Sequence, residues 1–397
     1  MLKEQFPIFI SQPDLVYLDS AATALKPMSV VDVICDYYEN YSANVERGLY
    51  PIADKATIAV RNAREDIAGF FGATASQVIF TSGATQSMNL VARSVLMKIA
   101  SETLENDRGE VLVSLDEHHS SLLPIVAQGQ NYGFEVVLNE DGYEALTDMI
   151  NEKTKLIFVS LASNVIGGER YLDSIIEKAH KFGALVLVDA CQAACHMRVD
   201  FAELGADYLV FSGHKLYGPT GVGCLLVSDR GYQALRNVDF GGGTVECVSD
   251  KLEITSKPGF EGFEPGTLPI AQIIGLAEAV NFLKEAGIDE VFEHEHNLCT
   301  YLVQKLSELD FIEFVSDVQE AVHLVSFNVS GVHAHDVAFI LGGKGICVRA
   351  GQHCTQLLHK KLNITASVRA SFGMFNNKED CDKLVEALKE LFQMFNS

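Results

Sequence analysis

VFSGHKLYGPTGVG, residues Val210–Gly223, is the stretch that decides how this chain is read. An apolar run, Tyr208–Phe211, leads into Ser212, Gly213, His214 and Lys215 and then into a turn rich in Gly and Pro. A continuous apolar run of this length reads as a strand buried on both faces. A lysine at the end of such a strand is costly unless it has a task. Open α/β sheets bind ligands at the carboxyl ends of their strands. Lys215 is therefore a candidate catalytic residue, with a surface lysine in a loop as the alternative on this segment alone.

Upstream, Leu185–Ala193 reads LVLVDACQA and sets Asp189 at the end of a second buried strand. An aspartate there also suits a helix N-cap. Taken together, the two segments point to one chemistry. Pyridoxal phosphate needs a lysine for its aldehyde and a carboxylate to keep its pyridinium nitrogen protonated, so that the ring accepts electrons. Glu117–Ser120 (EHHS) follows the expected strand Glu110–Leu115 at the same edge. A histidine placed there can lie flat on the cofactor ring and pass protons, with an ordinary loop pair as the commoner alternative for such a segment alone. The phosphate needs a helix N-terminus. Thr81–Asn89 (TSGATQSMN) offers one, with the N–H groups of Ala84 and Thr85 and the Thr85 hydroxyl as an anion nest. The GGG run at Gly241–Gly243 reads as a flexible turn.

Outward from these segments, apolar strands alternate with amphipathic helices. Expected strands are Gln77–Thr81, Glu110–Leu115, Glu135–Asn139, Leu156–Ala162, Leu185–Asp189, Tyr208–Phe211 and Gly223–Val227; helices include Ser87–Ile99 and Leu172–Phe182. This alternation predicts a mostly parallel, helix-covered sheet. Beyond Thr267 a helix, Ala271–Glu285, opens a mixed region with strands at Val322–Asn328 and Ile346–Arg349 and a closing helix, Lys378–Phe395. The division is residues 1–16 as an N-terminal segment packing with the small domain, 17–283 as the large domain and 284–397 as the small one.

The second half holds two further candidates. Val348–Thr355 (VRAGQHCT) places Cys354 in a loop after His353. A thiol acts as a thiolate and needs an electropositive, accessible setting, which His353 and Arg349 can supply. An inert cysteine is the bland alternative. Val368–Asn376 (VRASFGMFN) sets Arg369 among apolar residues, where it needs a carboxylate partner, structural or from a substrate. CQAACH (Cys191–His196) has no second ligand pair at a matching spacing, so zinc is not expected. EHEH (Glu293–His296) reads as a solvated helix face, and the pair His333 and His335 as a turn feature.

The 397 residues, 48% hydrophobic and 21% charged, suit a well-cored protein of two domains. A formal net charge of −23 repels nucleic acid and anionic membrane. The N-terminus does not look like a signal peptide, and no uncharged apolar stretch is long enough to cross a bilayer. Nine scattered cysteines argue for a reducing compartment, the cytoplasm.

These segments resemble a known family. YLDSAATALKP (Tyr17–Pro27), EHHS, SNVIGG (Ser163–Gly168), VDACQA, SGHKLYGPTG, RAGQHC and VRASFGMFN together resemble the class-V, fold-type I pyridoxal-phosphate enzymes. Within them the chain is most similar to the group II cysteine desulfurases, in their cysteine sulfinate desulfinase branch. The resemblance implies an α/β fold with a mostly parallel central sheet, flanking helices and a smaller α+β C-terminal domain. It implies Lys215 as the Schiff-base lysine, Asp189 and Gln192 at the pyridinium nitrogen and ring hydroxyl, and His119 stacked on the ring. Thr85, Ser212 and His214 would bind the phosphate with the Ala84 N–H. Thr267 (in EPGTLP) would reach the phosphate of the neighbouring subunit of a homodimer. Asn164 and Arg369 would clamp the substrate carboxylate, with Arg349 beside them, and Cys354 would carry a persulfide. No metal is implied.

The family's RGTTE is SGATQ here, its VDGAQ is VDACQ, and its HRG-x-H is ERGLY (Glu46–Tyr50). There is no tryptophan. The activity implied is conversion of L-cysteine to L-alanine, with sulfur passed from Cys354 to an acceptor protein for sulfur trafficking or iron–sulfur cluster assembly. Selenocysteine or cysteine sulfinate is the alternative substrate. A non-catalytic scaffold subunit is the alternative of another class.

Overall fold

Neighbouring residues of a strand point to opposite faces, so a strand apolar at every position must be covered on both. The computed structural model, which describes residues 2–104, 107–315, 318 and 321–396, shows this arrangement. In the strand Thr154–Ser160, Ile157 and Val159 face one core while Leu156 and Phe158 face another. In Leu185–Asp189, Val186 and Val188 go to the first core, and Leu185 and Leu187 to the second. Helices Met28–Asn40, Pro51–Phe70 and Ile270–Ala286 cover the first face. Helices Ala84–Glu102 and His119–Asn131 cover the other.

The central sheet has seven strands in the order Val78–Thr81, Gly223–Val227, Tyr208–Ser212, Leu185–Asp189, Thr154–Ser160, Glu110–Ser114, Glu135–Asn139. All neighbours pair in parallel except Gly223–Val227, which runs antiparallel to the strand on either side. The expected mostly parallel, helix-covered sheet is therefore present. Its carboxyl edge carries Thr81, Ser114, Ser160, Asp189 and Ser212, and the site is built there.

A second body has its own core. The strands Ile312–Phe314, Leu324–Val329, Ser367–Ser371 and Arg349–Gly351 form an antiparallel sheet in that order. Helices Ile288–Ser307, Ala334–Gly343 and Lys378–Asn396 pack on it. The expected strand Ile346–Arg349 is two strands. Ile346–Cys347 pairs with Val16–Tyr17, and Arg349–Gly351 pairs with Ser367–Ser371.

The boundary expected between residues 283 and 284 falls inside the helix Ile270–Ala286. The chain breaks just after that helix, at Gly287, whose φ of 78° suits glycine. The next helix spans both bodies: Val291 packs in the first core and Leu298 in the second. The N-terminal segment touches both bodies, with Val16 paired to Ile346 of the small one. Phe6 packs on Tyr217, Phe282 and Phe375, with ring centroids 6.0, 5.9 and 5.0 Å away, so it joins the large core. Lys3 reaches the small body through Asp380 at 2.7 Å. No helix among the described residues is long and apolar enough to cross a membrane.

Candidate active site

Lys215 closes a single helical turn, Gly213–Lys215, directly after the strand Tyr208–Ser212. The turn is tight because the N–H groups of Leu216 and Gly218 both donate to the Gly213 carbonyl at 3.0 Å. A Cβ on Gly218 would stand 3.0 Å from that oxygen, a tight approach that favours glycine. Lys215 thereby enters a cavity of about 260 Å³ together with Ala84, Thr85, Asn164, Asp189, Gln192, Ser212, His214, Arg349, Cys354 and Arg369. Residues far apart in sequence and from both bodies thus meet in one cavity.

Asp189 ends its strand and accepts the Cys191 N–H at 2.8 Å. Gln192 donates through Nε2 to the Ala21 carbonyl at 3.0 Å, while its buried Oε1 has no partner. Pyridoxal phosphate fits here on that observation: the orphaned Gln192 oxygen can accept the ring hydroxyl, with the Asp189 carboxylate and Lys215 on the same walls. The Ala84 N–H, opening the long helix Ala84–Glu102, donates to Ser212 Oγ at 2.9 Å. Thr85 and Ser120 share a hydroxyl hydrogen bond of 2.7 Å. These groups and the helix N-terminus would hold the phosphate. Cys191, the departure from the family pattern, lines the cavity with Sγ 3.9 Å from Ser212 Oγ. Burial pushes its thiol well up, which keeps it protonated.

The stacking histidine requires a correction. His118 lines the cavity, and His119 does not. His118 is the N-cap of the helix His119–Asn131, its ring accepting the Ser120 N–H at 3.1 Å. His119, already helical, is turned away and donates its N–H to the Cys354 carbonyl at 2.8 Å. Burial, with Lys215 nearby, pushes His118 down to about 3, so its ring is a neutral face and not a ready proton carrier.

Arg369 stands in the strand Ser367–Ser371 directly opposite Arg349. It is 2% exposed, donates through Nη1 to the Asn164 carbonyl at 2.9 Å, and meets Asp19 at 3.4 Å through Nη2. Its Nε is buried without a partner. Burial lowers it to about 10, with Asp19 opposing, so it keeps its charge near neutrality. Arg349 also holds Asp19, at 3.1–3.2 Å through Nε and Nη2. Asp19 is the functional residue that the motif reading passed over. It bridges two facing guanidinium groups and offsets one of their two charges, and its only signal was its place within YLDSAATALKP.

Cys354 is exposed at the cavity wall. Cys354 and His353 have φ of 58° and 49°, a left-handed conformation that costs a non-glycine residue about 1–2 kcal/mol. Asn164 Nδ2 holds the His353 carbonyl at 2.7 Å. His353 cannot supply the positive setting expected of it, because burial and Arg369 push it down to about 3. The nearby positive charge belongs to Arg349 and Arg369.

Thr267 lies outside this cavity, in another of about 250 Å³ with Arg47, Lys257 and Glu264. Glu264 is fixed by a buried pair with Arg64 at 2.8 Å and by the Phe80 N–H at 2.7 Å. Other expectations shift as well. Glu295, expected on a solvated face, is buried and hydrogen-bonds His196, whose ring stacks on His323 at 4.2 Å. His333 caps the helix Ala334–Gly343 by accepting the His335 N–H.

The family profile of aminotransferase class-V matches residues 16–384. A relative from Halalkalibacterium halodurans, described as a "probable cysteine desulfurase", is 40% identical over 404 aligned residues, covering 99% of this chain and 98% of its own. The solved apo structure of a cysteine desulfurase from Thermococcus onnurineus superposes with a TM-score of 0.91 at 32% identity, covering 99% of this chain and 97% of that one. A cysteine desulfurase structure from Escherichia coli, in an S-sulfonic acid form, gives 0.90 at 34% identity over 99% and 98%. A similarity that runs through both bodies, in sequence and in fold alike, leaves no part of the chain outside it: the protein belongs to the class-V aminotransferase family, among the cysteine desulfurases.

Proposed function

We propose that this enzyme uses pyridoxal phosphate to convert L-cysteine to L-alanine and takes the sulfur onto Cys354. One observation carries the reading: Lys215 and Asp189 from the large body share a cavity with Arg369 and Cys354 from the small one. The bound cofactor would supply an electron sink for the substrate's α-carbon. Arg369 lines the cavity with a buried Nε left unpartnered, which suits carboxylate binding, and Asn164 is fixed beside it. Lys215 is the base that moves the α-proton. The Cys354 thiolate attacks the substrate sulfur, a sulfur–sulfur bond forms and the carbon–sulfur bond breaks. The carbon keeps that electron pair and takes up a proton, so the products are alanine and the Cys354 persulfide.

The same reading takes the enzyme to be a homodimer, supported by Thr267 lining a cavity other than that of Lys215, where it would serve a neighbouring subunit, and has an acceptor protein collect the sulfur for trafficking or cluster assembly. Nine free thiols suit the reducing cytoplasm. The test incubates the holoenzyme separately with cysteine, cysteine sulfinate and selenocysteine and measures alanine. Cysteine turnover that is lost in Cys354→Ser is the expected result. Turnover of selenocysteine or sulfinate alone would redirect the assignment to a lyase or desulfinase, and a pure protein without the cofactor's colour would favour a scaffold.

A further inference from the structure

His119 is turned away from the cofactor cavity and toward the loop that carries the thiol. That loop is held in an unfavourable shape, with two consecutive non-glycine residues, His353 and Cys354, at positive φ. Such a shape persists only where the surroundings enforce it. The contacts that enforce it come from the large body. On the N-terminal side, Asn164 Nδ2 donates to the His353 carbonyl at 2.7 Å. On the C-terminal side, Leu358 of the helix Gln356–Lys361 packs with Leu115 and Val165. Between them stands His119, which makes two contacts. Its main-chain N–H donates to the Cys354 carbonyl at 2.8 Å, and its ring Nε2 accepts the Gln356 N–H at 3.4 Å.

We infer that His119 is a positioning residue for the thiol, bracketing Cys354 between a main-chain donor and a ring acceptor so that Sγ stays at the cavity wall. The inference rests on Cys354 being the sulfur-accepting thiol. The main-chain contact is available because the helix His119–Asn131 begins at this residue, where its first N–H groups have no partner within the helix. The ring contact adds a hold on the peptide that starts the next helix, Gln356–Lys361. Removing the ring leaves the main-chain contact but frees the far side of the loop, and a thiol displaced by about 1 Å reacts far more slowly.

The test compares wild type, His119→Ala and His119→Gln as holoenzymes, since a glutamine Oε1 can accept where Nε2 does. Three readouts are taken: the cofactor's absorbance spectrum, the rate at which iodoacetamide alkylates Cys354, and alanine formation from cysteine. In His119→Ala, alkylation should speed up several-fold. Its kcat with cysteine should fall about ten- to a hundred-fold with KM little changed, and the spectrum should stay as in wild type. His119→Gln should restore slow alkylation and most of kcat. Equal alkylation rates in wild type and His119→Ala overturn the inference. A shifted cofactor spectrum in His119→Ala also overturns it, because it returns His119 to the ring. If wild type makes no alanine from cysteine, the desulfurase reading fails, while the alkylation rates still decide whether His119 holds the loop.

Discussion

Arg369 keeps a buried Nε without a partner while its other nitrogens are committed to Asn164 and Asp19. A buried donor left in this state loses free energy until a ligand satisfies it, which suits a group that binds a carboxylate only during turnover. Arg369→Ala should therefore weaken apparent cysteine affinity by about 2–5 kcal/mol and leave cofactor retention intact; an unchanged KM in steady-state kinetics would contradict the clamp. At this scale the sequence was legible where a residue ends a strand. Lys215 and Asp189 stand where the apolar runs placed them, because a strand end aims its neighbours at one edge, while Arg369 is buried mid-strand in Ser367–Ser371, among the apolar residues that flank it in sequence. His118 and His119 were not separable. They straddle the start of a helix, and one step across an N-cap turns the side chain by roughly a third of a turn. Asp19 was quoted within a motif but its partners, Arg349 and Arg369, lie far along the chain, beyond local pattern.

The strand Gly223–Val227 shows how an element shapes the phosphate end of the cavity. It is inserted antiparallel between two strands of the opposite sense. A Cβ on Gly223 would lie 2.5 Å from the Phe211 carbonyl and 2.6 Å from the Cα of Gly83. Gly83 opens the turn that presents the Ala84 N–H. Gly223→Ala should push that turn away from Ser212, costing about 1–3 kcal/mol of stability and loosening the cofactor. Thermal unfolding and cofactor loss on dialysis both read this. A variant that keeps wild-type melting and full cofactor occupancy would contradict it. Strands of the central sheet were readable because double burial leaves a continuous apolar run. The direction of Gly223–Val227 was not, since pairing sense depends on connections and not on composition. The segment Ile346–Arg349 misled for a related reason: its residues pair with two different partners, and only the folded chain separates them.

Across the whole molecule, several histidines are held neutral by burial. His118 and His353 are pushed down to about 3 and His214 to about 4, and burial also holds His323 well below its ordinary value. Once unfolded, each takes a proton near 6.5. From pH 6.5 down toward 3 the unfolded chain thus binds more protons than the folded one, and stability falls as pH falls. Glu117, raised to about 7 by burial, works the opposite way between about 4.5 and 7. His196 and Glu295 share a buried hydrogen bond and offset each other in the same window. His359 is pushed down as well, and Glu264 and Glu169 are pushed up by burial like Glu117; the histidines still outnumber these carboxyls, so the holoenzyme should melt several degrees lower at pH 5 than at pH 7. A melting temperature equal or higher at pH 5 would contradict this balance. At this scale the two-body plan was legible from the change of pattern after Thr267. The boundary itself was blurred, because the helix Ile288–Ser307 runs through both cores. If sulfur passes onto Cys354, a single turnover should leave it there. Holoenzyme is mixed with less than one equivalent of cysteine, quenched, and its peptides are weighed. Alanine should be matched by a gain of one sulfur atom on the peptide bearing Cys354. Alanine formed with no added sulfur there, or with the sulfur on another cysteine such as Cys191, would contradict it.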